Sequence, residues 1–243
     1  MNPYSAARNA ALVLVLLLAG CTTRSISNSG YPEGGRYGTS QVGGYTGELS
    51  EFQVLGVTLD PTITEADIDA ALKTKERPRL GPASRILLIQ SGADFPDAPM
   101  LEALSARFSI SSFSGKPPAR DAGGVSYARS LRLAAARGGY DKILCYWGIL
   151  ESERVNQVTK YVSWVPIIGS AVPDERERMR LRLKAAIIDV SSGRWTPVTP
   201  SPVASSELSS MYNRRDTDQS LVARLKETGY RNLTALLVER HTE

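Results

Sequence analysis

From Arg178 to Ala185, basic and apolar residues change places at every step: Arg178, Arg180, Arg182 and Lys184 alternate with Met179, Leu181, Leu183 and Ala185. Only a backbone with a two-residue period sends such a row to opposite sides. The segment is therefore read as a strand with one face in a core and four positive charges spread over roughly 20 Å of the other. A helix would distribute the same charges around its circumference. A half-buried strand needs a sheet, and the sheet needs a layer to cover its apolar face.

The flanking segments supply both. Ile86-Leu87-Leu88-Ile89 and the stretch YDKILCYWGIL ending at Leu150 are compact apolar runs of the kind that buried strands show, and RFSISSFS, ending at Ser114, is strand-like. Between them, Asp97 can cap a helix from Ala98, with Pro99 in its first turn and Leu101, Leu104 and Phe108 on one stripe. Ser126 can cap a second helix through Ala136, which Gly138 would end. Upstream, EFQVLGVTLD from Glu51 reads as a short strand, and Thr64 as the cap of a helix from Glu65 to Lys73. Downstream, Val155 to Trp164 has strand residues throughout, and Ser192-Gly193 suits a hairpin turn. Strand-like pieces follow at Trp195–Val198 and Val203–Leu208, then a helical region from Thr217 to Glu239 with Gly229 as a break. The expected class is α/β: one domain of two or three layers, its mixed sheet starting as parallel β-α-β-α-β, continuing in antiparallel hairpins and closed by a C-terminal helix.

The N-terminus follows different rules. Ala10 to Ala19 is apolar throughout, too short for a bilayer span of roughly 20 residues but the right length for a signal-peptide core. Leu18-Ala19-Gly20-Cys21 then resembles the lipobox of bacterial lipoproteins, and Thr22-Thr23-Arg24 ends the apolar run at once. That resemblance implies cleavage before Cys21 and acylation of its thiol and new amino group. Stable anchoring takes two acyl signals, which a triacylated Cys21 exceeds. Thr rather than Asp after Cys21 implies, by the same resemblance, sorting to the outer membrane; a periplasm-facing domain is the expectation, though no residue sets that orientation against a surface-facing one. The stretch from Thr22 to Gly47, rich in Gly, Ser and Tyr, has no apolar period and is expected to be a flexible tether. The expected organisation is thus a signal peptide over 1–20, a tether over 21–50 and the α/β domain over 51–243.

The element order also resembles the small α/β domain of the TolB amino-terminal part, the curli secretion lipoprotein CsgG and the lipoprotein activators of penicillin-binding proteins. The resemblance lies in element order and lipoprotein context over Arg85 to Arg240, and no residue motif carries it, so it transfers no functional residue.

Chemistry is read by elimination. His241 is the only histidine and lies three residues from the end. The sequence contains no nucleophile elbow, zinc-protease motif, P-loop or dinucleotide fingerprint, and no cofactor or metal is expected. A net charge of +4, or +3 without Arg8, is too mild to imply nucleic acid. With Cys21 acylated, Cys145 has no disulfide partner, and its apolar strand marks it as a buried, inert thiol. Glu151 and Glu153 share a strand face, and Asp174, Glu175 and Glu177 cluster. A paired-carboxylate hydrolase is imaginable there, but nearby Arg154, Arg176 and Arg178 make ion pairs the simpler reading. The glycines of DAGGVS, Asp121 to Ser126, suit a loop ending in a cap better than an anion cradle.

Two features stand out as interaction surfaces. The first is the basic row Arg178, Arg180, Arg182 and Lys184, a face for anionic headgroups or an acidic partner, or else a solvated face paired with Glu151 or Glu153. The second is the apolar, proline-interrupted stretch from Tyr161 to Glu175, where Trp164, Val165, Ile167 and Ile168 either pack on the core or form a tip for a partner. The CsgG resemblance raises a third use, a strand of an oligomeric secretion channel. Against it, Lys160 interrupts the Val158, Val162, Trp164 face that lipid would require to be uniformly apolar. The expected function is that of a lipid-anchored envelope accessory protein, held in the membrane by Cys21 and acting on an envelope protein partner, with oligomers possible. An envelope hydrolase and a channel subunit are the alternatives.

Overall fold

The computed structural model describes residues 22–29, 45–57, 62–74, 77–118, 126–156, 175–209 and 214–241. Its seven described strands form one mixed sheet: β1 (Thr22–Ser25), β2 (Arg85–Gln90), β3 (Ser109–Phe113), β4 (Lys142–Asn156), β5 (Glu175–Asp189), β6 (Trp195–Val198) and β7 (Val203–Ser209). Five α-helices accompany it: α1 (Glu51–Leu55), α2 (Glu65–Lys73), α3 (Ala98–Ser105), α4 (Tyr127–Arg137) and α5 (Arg214–His241). This is the α/β fold with a parallel start, antiparallel hairpins and a C-terminal helix that the periodicity predicts.

β2 lies between β3 and β4 and is parallel to both. β4 and β5 are 15 residues each and pair antiparallel over their whole length. Their length divides the sheet into two zones. The inner zone runs β3-β2-β4-β5-β6. In the outer zone β1 joins β4 at Ile149 to Ser152, and β7 joins β5 at Glu175 to Leu181.

Side-chain alternation assigns the two faces. Ile86, Leu88, Leu144, Tyr146, Leu181, Leu183 and Ile187 pack with Met100 and Leu104 of α3 and with Leu221, Leu225, Leu233 and Leu237 of α5. Leu87, Ile89, Ile143, Cys145, Trp147, Ala186 and Ile188 pack with Leu131 and Ala135 of α4 and with Val54 of α1. The inner zone therefore has three layers. Each fully buried Leu or Ile contributes roughly 1.5–3 kcal/mol, so the two clusters supply most of the driving force.

Three local readings are corrected. EFQVL is the helix α1 rather than a strand: Ser50 accepts from the Phe52 amide and Gln53 returns a bond to the Ser50 amide, a capping box that outweighs the β propensity of Phe52 and Val54. Gly229 does not break the last helix, which is continuous for 28 residues. A Cβ there would lie 2.6 Å from Leu181 Cδ2 and 3.0 Å from Leu183 Cδ1, so the glycine lets α5 approach β5. Finally, residues 22–29 and 45–50 are parts of the fold, although composition reads them as tether. Ile26 is 1% exposed within the α5-side cluster, and Leu49 is buried on the other side. Ile26 alone cannot offset the roughly 1–2 kcal/mol per residue that ordering the segment costs. The β1 ladder, the Ser27 Oγ bond to the Ser91 carbonyl (2.6 Å) and the Arg24–Asp218 ion pair (2.6 Å) add to it.

The β5–β6 turn is held by Asp189. Its carboxyl accepts from Ser191 Oγ and from the amide and hydroxyl of Ser192, and pairs with Lys142 Nζ at 3.1 Å. Partial burial alone would raise its pKa, but these donors outweigh it and hold the group well below the usual carboxylate range.

Candidate functional site

Among the described residues no helix covers one face of the outer zone, and the basic row lies there. Even-numbered β5 residues face the α1/α4 side. Ala186 and Ile188 are buried under those helices, while Arg178, Arg180, Arg182 and Lys184 project beyond them. The Arg180 and Arg182 side chains are 55% and 56% exposed. Arg176 continues the same register toward the strand end. The boundary is marked by Lys184, whose ammonium stands 5.8 Å from the Trp147 ring centroid and pairs with Glu51 of α1.

Neighbouring strands contribute little charge to this face. Opposite Arg180 stands Glu151, which accepts from Arg180 Nε at 2.6 Å and from Arg182 Nη1 at 3.3 Å. The bond from Arg180 is the main reason its carboxyl is held below the ordinary value, and Arg182 reinforces it. Glu151 is thus an ion-pair partner kept ionised, unsuited to donating a proton near neutrality. Glu153 is opposite Arg178 in register. The remaining same-face positions are Ile149 and Val155 on β4, Thr23 and Ser25 on β1 and Ala204, Ser206 and Leu208 on β7, all neutral, and beside them the Glu48 carboxylate accepts from Ser25 Oγ. Two carboxylates in register against the four guanidiniums of Arg176, Arg178, Arg180 and Arg182 leave positive charge in excess.

A second constellation was not visible in the sequence. The order β3-β2-β4 reverses direction at β2, which makes the C-terminal end of β2 a topological switch point, where open α/β sheets usually bind ligands. Here that end is filled. Asp97 (5% exposed) faces Lys226 Nζ (2% exposed) at 2.8 Å and accepts a short bond from Tyr230 Oη. The Asp97 amide donates to Gln90 Oε1 at 2.8 Å, Tyr146 Oη donates to the same oxygen, and Gln90 Nε2 donates to Ser27 Oγ at 3.0 Å. Tyr146 and Tyr230 meet edge to face at 5.8 Å. Burial first, and then the Asp97 charge, push the Tyr230 phenol well above its normal pKa, so it stays a donor. The residues that close the crevice, Ile26 and Ser27, come from the segment after β1. Lys226 and Tyr230, one helical turn apart, come from α5. No local motif announces such a set, because its members meet only through the tertiary fold.

Among the remaining residues singled out in the sequence, Cys145 is 0% exposed, and burial above all raises its thiol well above the usual pKa. Maleimide is therefore expected to label Cys145 only after denaturation; rapid labelling of the folded protein would contradict the β4 register. Asp97 precedes α3 without a side-chain cap bond, its carboxylate being engaged in the core. Cys21, the tip Trp164, Val165, Ile167 and Ile168, the acid Asp174 and the loop 119–125 lie outside the described residues. Among the described residues no His, Cys, Asp and Glu gather as a metal site would require, and no helix is long and apolar enough to cross a membrane.

The model of the YafT bacterial lipoprotein family matches residues 50–240. No curated protein matches the chain in sequence. Among solved structures, the PelC dodecamer from Paraburkholderia phytofirmans is 14% identical, covering 63% of this chain and 92% of its own, at a TM-score of 0.24. A neuraminyllactose-binding hemagglutinin homologue from Helicobacter pylori is 10% identical, covering 68% and 90%, at a TM-score of 0.29. At such scores the likeness carries neither fold nor function to this chain.

Proposed function

The chain belongs to the YafT bacterial lipoprotein family, and on that premise we propose that acyl chains on Cys21 hold it in the outer membrane, facing the periplasm, as a binding or accessory protein of envelope assembly or maintenance. The observation that supports this best is the position of β1. Thr22, the residue after Cys21, is already the first residue of a strand. Acylation at Cys21 would then fasten the sheet itself to the bilayer, with no spacer between lipid and fold.

The basic face and the segment between Asn156 and Glu175 are the regions proposed for contact with other envelope components. Asn156 and Glu175 are paired at the end of the sheet where β1 begins. The tip Trp164, Val165, Ile167 and Ile168 belongs to the connection between them and is proposed as the contact for an envelope protein. Binding fits the open face better than hydrolysis, because Glu151, the carboxylate placed there, is neutralised by Arg180 and Arg182.

The Cys21→Ala variant is expected to accumulate as an uncleaved precursor that incorporates no labelled palmitate. Photocrosslinking from position 164 in intact cells is expected to trap an envelope protein with the parent chain and none with that variant. A mature-sized, detergent-extracted Cys21→Ala protein would refute the anchor. Crosslinks that survive loss of the anchor would separate partner binding from membrane attachment.

A further inference from the structure

We propose that the open sheet face is a docking surface for anionic phospholipid headgroups, laid against the same membrane that the N-terminal acyl chains enter; this rests on acylation at Cys21. Three observations converge on it. The first is register: Thr22 is opposite Ser152, and Ser152 is opposite Met179. β1 thus begins at the level of Ser152 and Met179, and Cys21 is joined to it by one peptide bond. Two strand spacings of ~4.8 Å separate Thr22 from Met179, and one Cα step of ~3.8 Å joins Cys21 to Thr22, so the acylated residue lies within about 14 Å of the Met179 backbone. That distance is comparable with the thickness of a headgroup layer and with the ~8–10 Å Debye length near physiological salt.

The second observation is the distribution of charge along the face. At its inner end Lys184 is paired with Glu51. Toward the anchor, Arg182, Arg180, Arg178 and Arg176 occupy every alternate position, with Glu151 and Glu153 as the only acids in register on the adjoining strands. Counted by register, four guanidiniums thus stand against two carboxylates beyond the balanced Lys184–Glu51 pair.

The third is that no described helix covers this part of the face. On the opposite face α5 covers Leu181 and Leu183, yet on this one the described helices end at the level of Trp147 and Ala186. A strand face that carries guanidiniums rather than apolar side chains gains nothing from a helix, but it complements a plane of phosphates. Each Arg can offer a phosphate two parallel donors.

The test uses the full-length acylated protein, reconstituted through its own lipid into vesicles. A fluorophore is placed at Ala204→Cys, exposed and in register with Arg180, with Arg107→Cys at the far end of the domain as a control. Cys145 is buried and does not compete for the label. A headgroup-linked quencher should dim the Ala204 site strongly in vesicles containing about one-third phosphatidylglycerol and weakly in pure phosphatidylcholine. The difference should vanish near ~1 M salt, where the Debye length is ~3 Å. Each basic residue at an anionic surface contributes about fivefold, so Arg178→Gln/Arg180→Gln/Arg182→Gln should lower the docked-to-undocked ratio by roughly 100-fold. Equal quenching in the two vesicle types, or quenching that the triple replacement leaves unchanged, would overturn the docking face while leaving the anchor intact. A purified chain whose mass shows no acyl groups on Cys21 would instead refute the anchor itself. The lipid and salt comparisons need no variant on the basic face, so a misfolded triple replacement does not decide the matter.

Discussion

Replacing Asp97 by Ala is expected to lower the stability of the folded protein by about 3–5 kcal/mol, a large share of the roughly 5–15 kcal/mol of a typical domain. Loss of a helix cap is not the reason, since the Asp97 side chain makes no cap bond. The carboxylate is the counter-charge of Lys226 and the acceptor for Tyr230, and the Asp97 and Lys226 side chains are 7% and 3% exposed. Removing it leaves an ammonium in the core without the charge that faces it. The double variant Asp97→Leu/Lys226→Met removes both charges and should be more stable than Asp97→Ala alone. That inversion distinguishes a buried ion pair from simple packing. Urea titration of the parent, single and double variants reads it directly, provided the m-values agree. A fall below about 1 kcal/mol for Asp97→Ala would mean that water reaches the cluster.

The sequence made legible whatever depends on local pattern. Ile86–Ile89 and Ile143–Trp147 are apolar runs because the inner zone is covered on both faces, and Arg178 to Ala185 alternates because the described helices cover only one face of the outer zone. Misreadings arose where a residue's role is tertiary. Gly229 resembles a helix breaker until Leu181 and Leu183 are placed beneath it. Ser25 to Asn28 reads as linker because a single Ile26 makes no period, and its burial depends on the outer half of β4, more than 120 positions away. The capping box at Ser50 and Gln53 was in the sequence, but was outweighed by the β-forming residues around it. Of the candidate site, the basic row follows from spacing alone, whereas the sequence leaves its acid as Glu151 or Glu153 and the β4–β5 register sets Glu151 beside Arg180 and Arg182. The cluster of Gln90, Asp97, Lys226 and Tyr230 does not, because its members are separated by up to 140 positions and resemble ordinary surface residues one by one.

Both zones depend on one backbone crossing, which makes Gly115→Ala the other large expected effect. Gly115 follows β3, where its amide donates to the Ala93 carbonyl at 2.8 Å and its carbonyl accepts from the Gly92 amide at 2.9 Å. A Cβ at this position would fall 1.8 Å from the Gln90 carbonyl oxygen. Ordinary overpacking costs about 1–3 kcal/mol because side chains can turn aside; a peptide carbonyl cannot, so the cost should reach ~3 kcal/mol or more. Gly229→Ala is the contrasting case. Its obstacle is the tip of Leu181, and alanine regains about 1 kcal/mol of helix propensity, so its net effect should be small. The damage from Gly115→Ala should also spread in a particular direction. Gln90 holds Ser27, and Ser27 ends the segment that carries β1. Amide exchange at Thr23 to Ser25 should therefore accelerate more than at Leu233 or Leu237 in α5. If the unfolding midpoint of Gly115→Ala matches the parent, the two turns are not locked together. If the midpoint falls while the β1 amides keep their relative protection, the anchor strand is held by β4 alone and not through Gln90.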